Sequence, residues 1–336
     1  MTSRDHRLEE LLPFIRSSRS FVLTTHVNPD GDGLGSELAL AHWLADHGKE
    51  ALIINTSPTP EMYRFLDPGG AIRTYDESRD APALRAAEVI VVLDTNQPGR
   101  LDTMQEVVLR SPARKLCIDH HLDPEPFAEV YFLDEDATST GELVYRLLHA
   151  LSAEGISPRV AEALYCAIMT DTGSFRYPRT DPEIFRIAAR LIERGADPVE
   201  TYTRVYEQWS SGRMKLLGEM LAGLTLESGG RLAHVTVTRE MLRRTGTREE
   251  DTDTFTVYPM SIAGVVAGIL FLETDDGIKI SFRSRGDIPI NALAREFGGN
   301  GHKNAAGARL AEMDLSRVKQ RVLAAAERYL TTQEVQ

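Results

Sequence analysis

The chain of 336 residues carries a net charge of −12, and 42 % of its residues are hydrophobic. This length exceeds one typical core, so two domains are expected. The acidic charge argues against proteins that bind long duplexes through many phosphates, because such proteins carry basic regions. The sequence has no apolar run of bilayer length and no signal-peptide pattern at its charged N-terminus. Two cysteines without a CxxC spacing fit a reducing compartment, so we expect a cytoplasmic protein that does not bind membranes.

Short apolar runs alternate with amphipathic helical patterns in the first half of the chain. The predicted strands are Phe21–His26, Ala51–Asn55, Glu88–Asp94 and Lys115–Asp119. Helical patterns follow at Glu37–His47 and Gly141–Leu151. Near-continuous apolar strands followed by helices are typical of a parallel sheet covered on both faces. The pattern predicts an α/β domain with a doubly wound, mainly parallel sheet.

The second half predicts helices and then a smaller mixed domain. Helical patterns continue from Asp181 to Leu221, interrupted at 209-WSSGR. The remaining predicted elements are a strand at Arg231–Thr238, a hairpin of Val265–Glu273 and Gly277–Arg285, and helices at Ile290–Phe297 and Leu315–Leu330. We therefore predict a catalytic domain at residues 1–208, a linker helix at 209–222 and a smaller α/β domain at 223–336. A cleft is expected between the two domains.

Possible metal ligands stand where the predicted strands of the first domain end. The motif 26-HVNPDGDGLGS follows the first strand, and its Asp30 and Asp32 are two residues apart on a glycine-punctuated turn. Gly31 and Gly33 are expected there for unusual backbone dihedrals. Ligands of open α/β sheets bind at the carboxyl ends of strands, which favours a site at this turn. An ordinary Asx-rich turn would explain this motif equally well by itself.

Three further segments end in residues of the same kind. Asp94 closes the run 89-VIVVLD, the tripeptide 119-DHH closes another, and Asp171 follows the apolar run Val160–Met169. Each aspartate alone could be a helix or turn cap. Because neighbouring side chains on a strand point to opposite sides, His120 and His121 are expected to have different roles.

Charge predicts how many cations such a cluster needs. Four aspartates packed within a few ångströms could not all stay ionised unaided, and two divalent cations would neutralise them. Carboxylate and imidazole ligands without thiolate favour Mn²⁺, Mg²⁺ or a similar ion over structural zinc. A two-metal site is suited to phosphoryl chemistry, because it activates water and stabilises both the attacking and the leaving oxygen.

These motifs resemble, in content and order, those of the DHH phosphoesterase superfamily. The matching segments are HxNPDGDGxGS, the LDT run, DHH and the TDTGSF run, and 298-GGNGHKNAAG resembles the glycine-rich signature of the DHH-associated domain. Length and a short linker are similar to the stand-alone, NrnA-like members. The resemblance covers nearly the whole chain and implies a DHH domain followed by a DHH-associated, substrate-binding domain.

The resemblance also implies roles for single residues. One metal would be held by His26, Asp30 and Asp94, and a second by Asp32, His120 and Asp171, with Asp94 bridging the two. His121 would face the scissile phosphate, and Asp119 would orient the histidines. Mn²⁺ is the expected ion, with Mg²⁺ or Co²⁺ as alternatives.

Two positions depart from the pattern of this family. Many relatives carry Asn three residues after the last histidine of the DHH motif, where this chain has Pro124. Relatives usually carry Gly where this chain has Asn300. Asn tolerates left-handed backbone better than most residues, so the loop is expected to persist.

The second domain offers a predicted anion-binding face. Alternation along 277-GIKISFRSR places Lys279, Arg283 and Arg285 on one face, although a solvated sheet face would give the same pattern. A glycine-rich loop that enters a helix presents N–H groups to an anion, and 298-GGNGH is predicted to be such a loop. The predicted substrate contacts are Arg283, Arg285, Gly299, Gly301 and His302.

The expected function is that of a two-metal phosphoesterase acting on very small nucleic acids. The resemblance implies hydrolysis of short oligonucleotides (nanoRNA) to mononucleotides and removal of the 3′-phosphate from 3′-phosphoadenosine 5′-phosphate. Hydrolysis of cyclic di-AMP or its linear product pApA is the alternative, because the same residues would serve it. A pyrophosphatase is disfavoured by the GGNGHKNAAG segment. A nucleotide-binding sensor without catalysis remains the alternative from another functional class. Because relatives of this family often form homodimers, a homodimer is also possible for this chain.

Overall fold

The computed structural model describes residues 3–152 and 155–331, which fold into two compact units, Met1–Gln208 and Trp209–Gln336. The first unit contains a six-stranded sheet in which every neighbouring pair is parallel, with the order β3-β2-β1-β4-β5-β6. Its strands are β1 Ser20–Thr24, β2 Glu50–Asn55, β3 Ile72–Thr74, β4 Val89–Leu93, β5 Arg114–Asp119 and β6 Val130–Leu133. The predicted parallel α/β domain is confirmed.

Helices cover both faces of this sheet. They are α1 Ser3–Ser17, α2 Gly31–Asp46, α3 Glu77–Ala86, α4 Gln105–Arg110, α5 Thr140–Leu151, α6 Pro158–Asp171, α7 Pro182–Glu193 and α8 Pro198–Tyr206. Neighbouring residues of β4 point to opposite faces of the sheet and belong to different cores. Val91 packs in the core that includes α2, α5 and α6, and Val92 packs in the core that includes α3 and α4. Burial on both faces explains why the central strands are apolar throughout.

Two strands of the first sheet were not predicted, β3 and β6. Both lie at the edges of the sheet and are short, at three and four residues. β3 leaves two of its three side chains exposed, and β6 alternates buried with half-buried residues. Neither segment carries the continuous apolar run by which the central strands were recognised.

The second unit is a mixed sheet with the order β11-β12-β10-β9-β8-β7. Its strands are β7 Thr225–Glu227, β8 Leu232–Val237, β9 Ala267–Thr274, β10 Gly277–Ser284, β11 Asn300–His302 and β12 Ala305–Leu310. Its helices are α9 Ser211–Ala222, α10 Arg239–Thr245, α11 Val257–Met260, α12 Ile290–Glu296 and α13 Leu315–Thr331. The predicted hairpin is β9–β10, and α12 and α13 contribute to the core on one face of the sheet.

The segment predicted as a linker helix is helical and forms part of this second unit. Its Leu216, Leu217 and Met220 are buried with Val235 and Leu270 of the sheet. Within the part of the chain that the structure covers, no helix combines the length and apolar character that a membrane span requires.

Helices α2 and α6 approach each other at a glycine. A Cβ atom added to Gly35 would lie 2.5 Å from the Ala163 carbonyl oxygen and 2.9 Å from the Ala167 Cβ. Since a backbone oxygen cannot move aside as a side chain can, any larger residue would separate the two helices.

Replacing Gly35 with Ala is therefore expected to destabilise the protein by about 1–3 kcal/mol, the usual range for overpacking. The measurement is urea unfolding followed by circular dichroism. Gly218→Ala in α9 is the matched control, because a Cβ there meets no atom within 4 Å. Alanine should be neutral or stabilising at this helical position. Equal stability of Gly35→Ala and the parent protein would contradict the close packing of α2 on α6.

Candidate metal centre

The predicted ligands converge at the carboxyl edge of the first sheet, where the strand order reverses between β1 and β4. His26 lies two residues beyond β1, Asp94 directly follows β4, and Asp119 is the last residue of β5. Chains leaving neighbouring strands in opposite directions open a crevice at such a point, which is where ligands of open α/β sheets bind.

The turn between β1 and α2 supplies Asp30 as the N-cap of the helix. Its Oδ1 accepts hydrogen bonds from the N–H groups of Asp32 (3.0 Å) and Gly33 (3.2 Å). Its Oδ2 lies 3.9 Å from the Nε2 of His26. The Asp30 side chain therefore has two roles: Oδ1 caps α2, and Oδ2 is the candidate metal ligand.

The expectation that Gly31 and Gly33 adopt unusual dihedrals was wrong. Both lie inside α2 and neither has a positive φ. Added Cβ atoms would lie 2.6 Å from Thr170 Oγ1 at Gly31 and 2.5 Å from Thr25 Oγ1 at Gly33. These glycines are needed because the start of α2 presses against the end of β1 and the end of α6.

Asp32 is 1 % exposed and is fixed by the start of α5. Its two oxygens accept hydrogen bonds from the N–H groups of Thr140 (2.7 Å) and Gly141 (2.8 Å). Burial, followed by the charges of Asp94 and Asp171, nevertheless raises the pKa of Asp32 well above its usual range. A helix N-terminus alone does not offset the repulsion among these carboxylates.

Asp94 lies at the centre of the cluster and has a left-handed backbone, with φ of 60°. Its Oδ2 is 3.4 Å from His26 Nε2, and its Oδ1 is 3.7 Å from both His120 Nε2 and His121 Nδ1. Burial alone would raise the pKa of Asp94, but the bond with His26 and the three histidines outweigh it and lower the pKa to about 2. Asp94 therefore stays ionised.

His120 and His121 are held differently, as their adjacency predicted. His120 is buried, and its Nε2 lies 3.4 Å from Asp171 Oδ2 and 3.7 Å from Asp32 Oδ2. His121 is about one third exposed, and its Nδ1 lies 2.7 Å from Asp119 Oδ1. Burial lowers the pKa of His120. Burial acts in the same sense on His121, but the hydrogen bond and charge of Asp119 prevail and raise its pKa to about 9.

Asp171 ends α6 and completes the second group of ligand atoms. Its side chain is one third exposed. Burial and the charges of Asp94 and Asp30 raise its pKa to about 7. The carboxylate therefore carries a substantial share of the repulsion that a cation would relieve.

Three overlapping groups of ligand atoms, each within 4.8 Å, form this centre. They are His26, Asp30 and Asp94; Asp32, His120 and Asp171; and Asp94, Asp119, His120 and His121. The first two groups coincide with the two sets expected from the sequence.

The imidazoles of the first two groups suit metal coordination. The Nδ1 atoms of His26 and His120 lie 2.8 Å and 3.4 Å from the backbone carbonyls of Val27 and Ala137. Metal-binding histidines usually donate one ring N–H to such an oxygen, which leaves the other nitrogen as ligand atom. Carboxylate oxygens and imidazole nitrogens together also form a donor set that first-row divalent ions such as Mn²⁺ accept. The residues present therefore fit divalent cations.

Some supporting residues were not predicted. Thr140 donates its hydroxyl to Asp94 Oδ1 at 3.0 Å, in addition to its N–H bond with Asp32. Beneath the site, Asn55 donates to buried Glu37 at 2.8 Å and accepts from the N–H of Thr25 at 3.2 Å. The sequence signal for Thr140 was present, since 138-TSTGE is a capping sequence at a helix start. Its position beside Asp94 depends on tertiary structure.

The expected anion-binding loop of the second unit has a different structure. The segment 298-GGNGH does not enter a helix: Gly298 (φ of 73°) and Gly299 follow the end of α12, and Asn300 begins β11. A left-handed glycine after a helix is the usual C-terminal stop. Asn300 has no positive φ, and its Oδ1 accepts a hydrogen bond from the N–H of Gly301. The loop is therefore a helix-to-hairpin connection.

The cationic residues of β10 are not equivalent. Lys279 lies 3.0 Å from Glu249 and 3.8 Å from Asp253, so it is neutralised within this unit. Arg285 follows the end of β10 and donates to the Met260 carbonyl. Arg283 is half-buried on the same face as Lys279. The side chain of His302 lies outside the described residues.

Comparisons with known proteins agree with this architecture. The DHH family N-terminal domain matches residues 20–168, and the DHHA1 domain matches residues 231–332. The chain is 32 % identical over 309 residues to the bifunctional oligoribonuclease and PAP phosphatase NrnA of Thermus thermophilus, covering 92 % of this chain and 90 % of that protein. Identity to the Bacillus subtilis protein of the same name is 29 % over 307 residues, with coverage of 91 % and 94 %.

A solved structure gives the same result. The crystal structure of an exopolyphosphatase-related protein from Bacteroides fragilis superposes with a TM-score of 0.92 at 31 % identity, covering 99 % of this chain and 98 % of that one. Both domains and nearly the whole length are thus shared with these relatives. The chain belongs to the DHH family, in the branch that combines a DHH domain with a C-terminal DHHA1 domain and includes the NrnA proteins.

Proposed function

We propose that this protein is a two-metal phosphoesterase that hydrolyses short oligonucleotides to mononucleotides and releases the 3′-phosphate of 3′-phosphoadenosine 5′-phosphate. The observation that carries this proposal is the pair of ligand groups, each containing carboxylate and imidazole atoms within 4.8 Å, at the switch point of the sheet. Similarity to the NrnA proteins over 92 % of the chain supports the choice of substrate.

The first ion would be held by His26, Asp30 and Asp94, and the second by Asp32, His120 and Asp171. Mn²⁺ is the ion we propose. Each ligand group contains an imidazole, whereas Mg²⁺ prefers sites made of oxygen ligands alone. Divalent ions bound there would activate water and neutralise charge on the phosphate oxygens.

His121 is the proton donor in this proposal. Its Nδ1 proton is committed to the Asp119 carboxylate, which assigns the substrate-facing proton to Nε2. In the metal-free protein, the hydrogen bond and charge of Asp119 outweigh burial and raise the pKa of this imidazole to about 9. As the cation, the imidazole can stabilise a phosphate oxygen or protonate the leaving oxygen. Asp119 is a positioning residue, since its other contact is with the N–H of His120 at 2.8 Å.

In the second unit, we propose that Arg283, Arg285, Gly299, Gly301 and His302 contact the substrate. Gly299 and Gly301 are required by packing on β12, because an added Cβ would lie 2.2 Å from the Gly307 carbonyl oxygen and 2.4 Å from the Ala305 carbonyl oxygen, respectively. Arginine suits phosphate because its guanidinium binds two oxygens at once.

The substrate proposal is tested with purified protein, Mn²⁺, RNAs of graded length starting from dinucleotides, cyclic di-AMP, pApA and 3′-phosphoadenosine 5′-phosphate. Chromatography should show the shortest RNAs consumed fastest, with mononucleotides as products, and AMP formed from the bisphosphate.

The Asp94→Asn variant should lose activity by more than about 100-fold. This loss exceeds the usual effect of replacing a residue that only hydrogen-bonds to a metal ligand. Asparagine keeps the size of the side chain and its contact with Thr140.

Two results would contradict this proposal. Consumption of cyclic di-AMP beside intact RNAs would transfer the protein to the cyclic dinucleotide phosphodiesterases. Tight nucleotide binding without turnover in Mn²⁺ would make it a sensor. Asp197→Asn is the control variant, because this aspartate caps α8 and is absent from the metal-ligand groups.

Replacing Asp119 with Asn should reduce kcat by about 10- to 100-fold, the range for residues that orient a metal-site histidine. A neutral amide stabilises the positive charge of His121 less than a carboxylate does, so the pKa of that imidazole should fall. The alkaline limb of the kcat–pH profile should move to lower pH. A reduced kcat with an unchanged alkaline limb would contradict the role of Asp119 in charging His121.

The metal-free protein is expected to lose stability as pH rises from about 4 to about 9. The pKa of Asp171 is raised from 3.8 to about 7, and that of His121 from 6.5 to about 9. A group with a raised pKa favours the folded state at low pH, and this contribution is lost between its unfolded and its folded pKa. The loss falls between pH 3.8 and about 7 for Asp171 and between pH 6.5 and about 9 for His121. The measurement is the thermal midpoint in EDTA at several pH values.

Adding MnCl₂ should raise the midpoint more at pH 8 than at pH 6, because a ligand that binds only the folded state stabilises it. The control is Asp171→Asn, whose metal-free midpoint should fall less steeply between about pH 4 and pH 7. An identical slope in this variant would show that Asp171 is not responsible.

A further inference from the structure

A pocket of about 250 Å³ opens beside the second ligand group, within the first unit. Its lining includes His120, Asp171, Tyr177, Arg179 and Thr180. Two of these residues are proposed metal ligands, so whatever fills the pocket lies next to the reacting phosphate. Tyr177 is the aromatic member of this lining, and Arg179 is its cationic side chain other than histidine.

The segment that forms the pocket wall turns sharply after Asp171. Three successive residues, Gly173, Ser174 and Phe175, have positive φ values of 56°, 59° and 63°. Such a run is strained for non-glycine residues and persists only where surrounding contacts hold it. The N–H groups of Arg176 and Tyr177 both return to the Thr172 carbonyl, at 2.9 Å and 3.0 Å. This turn brings Tyr177 back to the pocket.

The ring of Tyr177 is fixed from one side. An added Cβ at Gly173 would lie 2.5 Å from two atoms of that ring, so the tyrosine packs directly on the glycine backbone. Even so, 54 % of the Tyr177 residue surface is exposed. An exposed tyrosine alone would be unremarkable at a protein surface. Here the ring packs against the Gly173 backbone and borders the metal centre.

The polar groups of the pocket have unused hydrogen-bonding capacity. The Thr180 hydroxyl is buried and has no hydrogen-bond partner among the described residues. Arg179 reaches the Ala137 carbonyl only at 3.5 Å, the weak limit for such a bond. A guanidinium has five donors, so Arg179 retains donors for an anion or a base edge.

The pocket is small. Pockets for drug-sized molecules measure about 300–1,000 Å³, so this one has room for a single base or nucleoside and not for a strand. Bases of single-stranded nucleic acids stack on aromatic side chains without sequence preference. The pocket therefore suits a ligand with a flat face and a negative charge. Its size and the Tyr177 ring favour a flat group, and Arg179 favours an anion.

We propose that this pocket binds the nucleoside on one side of the scissile phosphate, with its base stacked on Tyr177 and its phosphate facing Arg179. This subsite rests on the proposed function and specifies its substrate as a nucleotide with an unpaired terminal base. A base pair is too large for a pocket of about 250 Å³, so the pocket selects single-stranded ends.

The test compares the parent protein with Tyr177→Ala and Tyr177→Phe on four dinucleotides. One carries two adenines, two lack the base at either the first or the second position, and one lacks both. Stacking of one base on an aromatic ring is worth about 5- to 150-fold in binding. Tyr177→Ala should raise KM for the diadenosine substrate by such a factor with kcat little changed, and Tyr177→Phe should behave like the parent.

A double-mutant cycle identifies which base stacks. For the dinucleotide that lacks the stacked base, Tyr177→Ala should cause no further rise in KM, because ring and base then contribute only as a pair. Tyr202→Ala is the matched control, since Tyr202 is 42 % exposed and lies on α8, outside the pocket lining. Its KM should equal that of the parent.

Three results separate the possibilities. Equal losses on all four substrates, including the one without bases, would show a structural role for Tyr177 and overturn the subsite. Cleavage by Tyr177→Ala with parent-like KM on every substrate would also overturn it. Failure of the parent protein to cleave any dinucleotide would refute the proposed function, on which the subsite depends.

Discussion

The close approach of helix α2 to its neighbours is the constraint on which the site depends. Gly31, Gly33 and Gly35 stand where any side chain would meet Thr170, Thr25 and the Ala163 carbonyl. Gly141 plays the same part at the start of α5, where an added Cβ would lie 2.5 Å from the Ala167 Cβ and 3.3 Å from Asp32 Oδ1. Without these contacts, the aspartates of three segments could not share one corner of the sheet.

Close approach brings an electrostatic cost, because it buries several carboxylates together. The protein meets part of this cost with donors of its own. Two N–H groups of α5 point at Asp32, and three histidines surround Asp94. Burial, together with the repulsion that remains among the carboxylates, raises the pKa values of Asp32 and Asp171. The fold thus holds a geometry that is fully compensated only when cations are added, which links catalytic competence to metal loading.

The sequence predicted those features that depend on local pattern. Continuous apolar runs located β1, β2, β4 and β5, and their carboxyl ends located the ligand residues, because parallel strands end at the same edge. The edge strands β3 and β6 were missed because they are short and half-exposed. The role of the glycines was misread, since sequence shows that a residue is small but not what it touches. The loop 298-GGNGH was misassigned because helix exit and helix entry share a preference for glycine.

The left-handed backbone of Asp94 has a consequence for how this protein could lose its activity over evolutionary time. Only a few residue types adopt a positive φ readily, chiefly glycine, asparagine and aspartate. A gene copy released from selection for catalysis would still be selected for folding. At this position it would therefore drift first to asparagine or glycine, whereas β-branched residues would remain rare. Inactive descendants of such a chain should be recognisable from position 94 while every other strand-end motif is still intact.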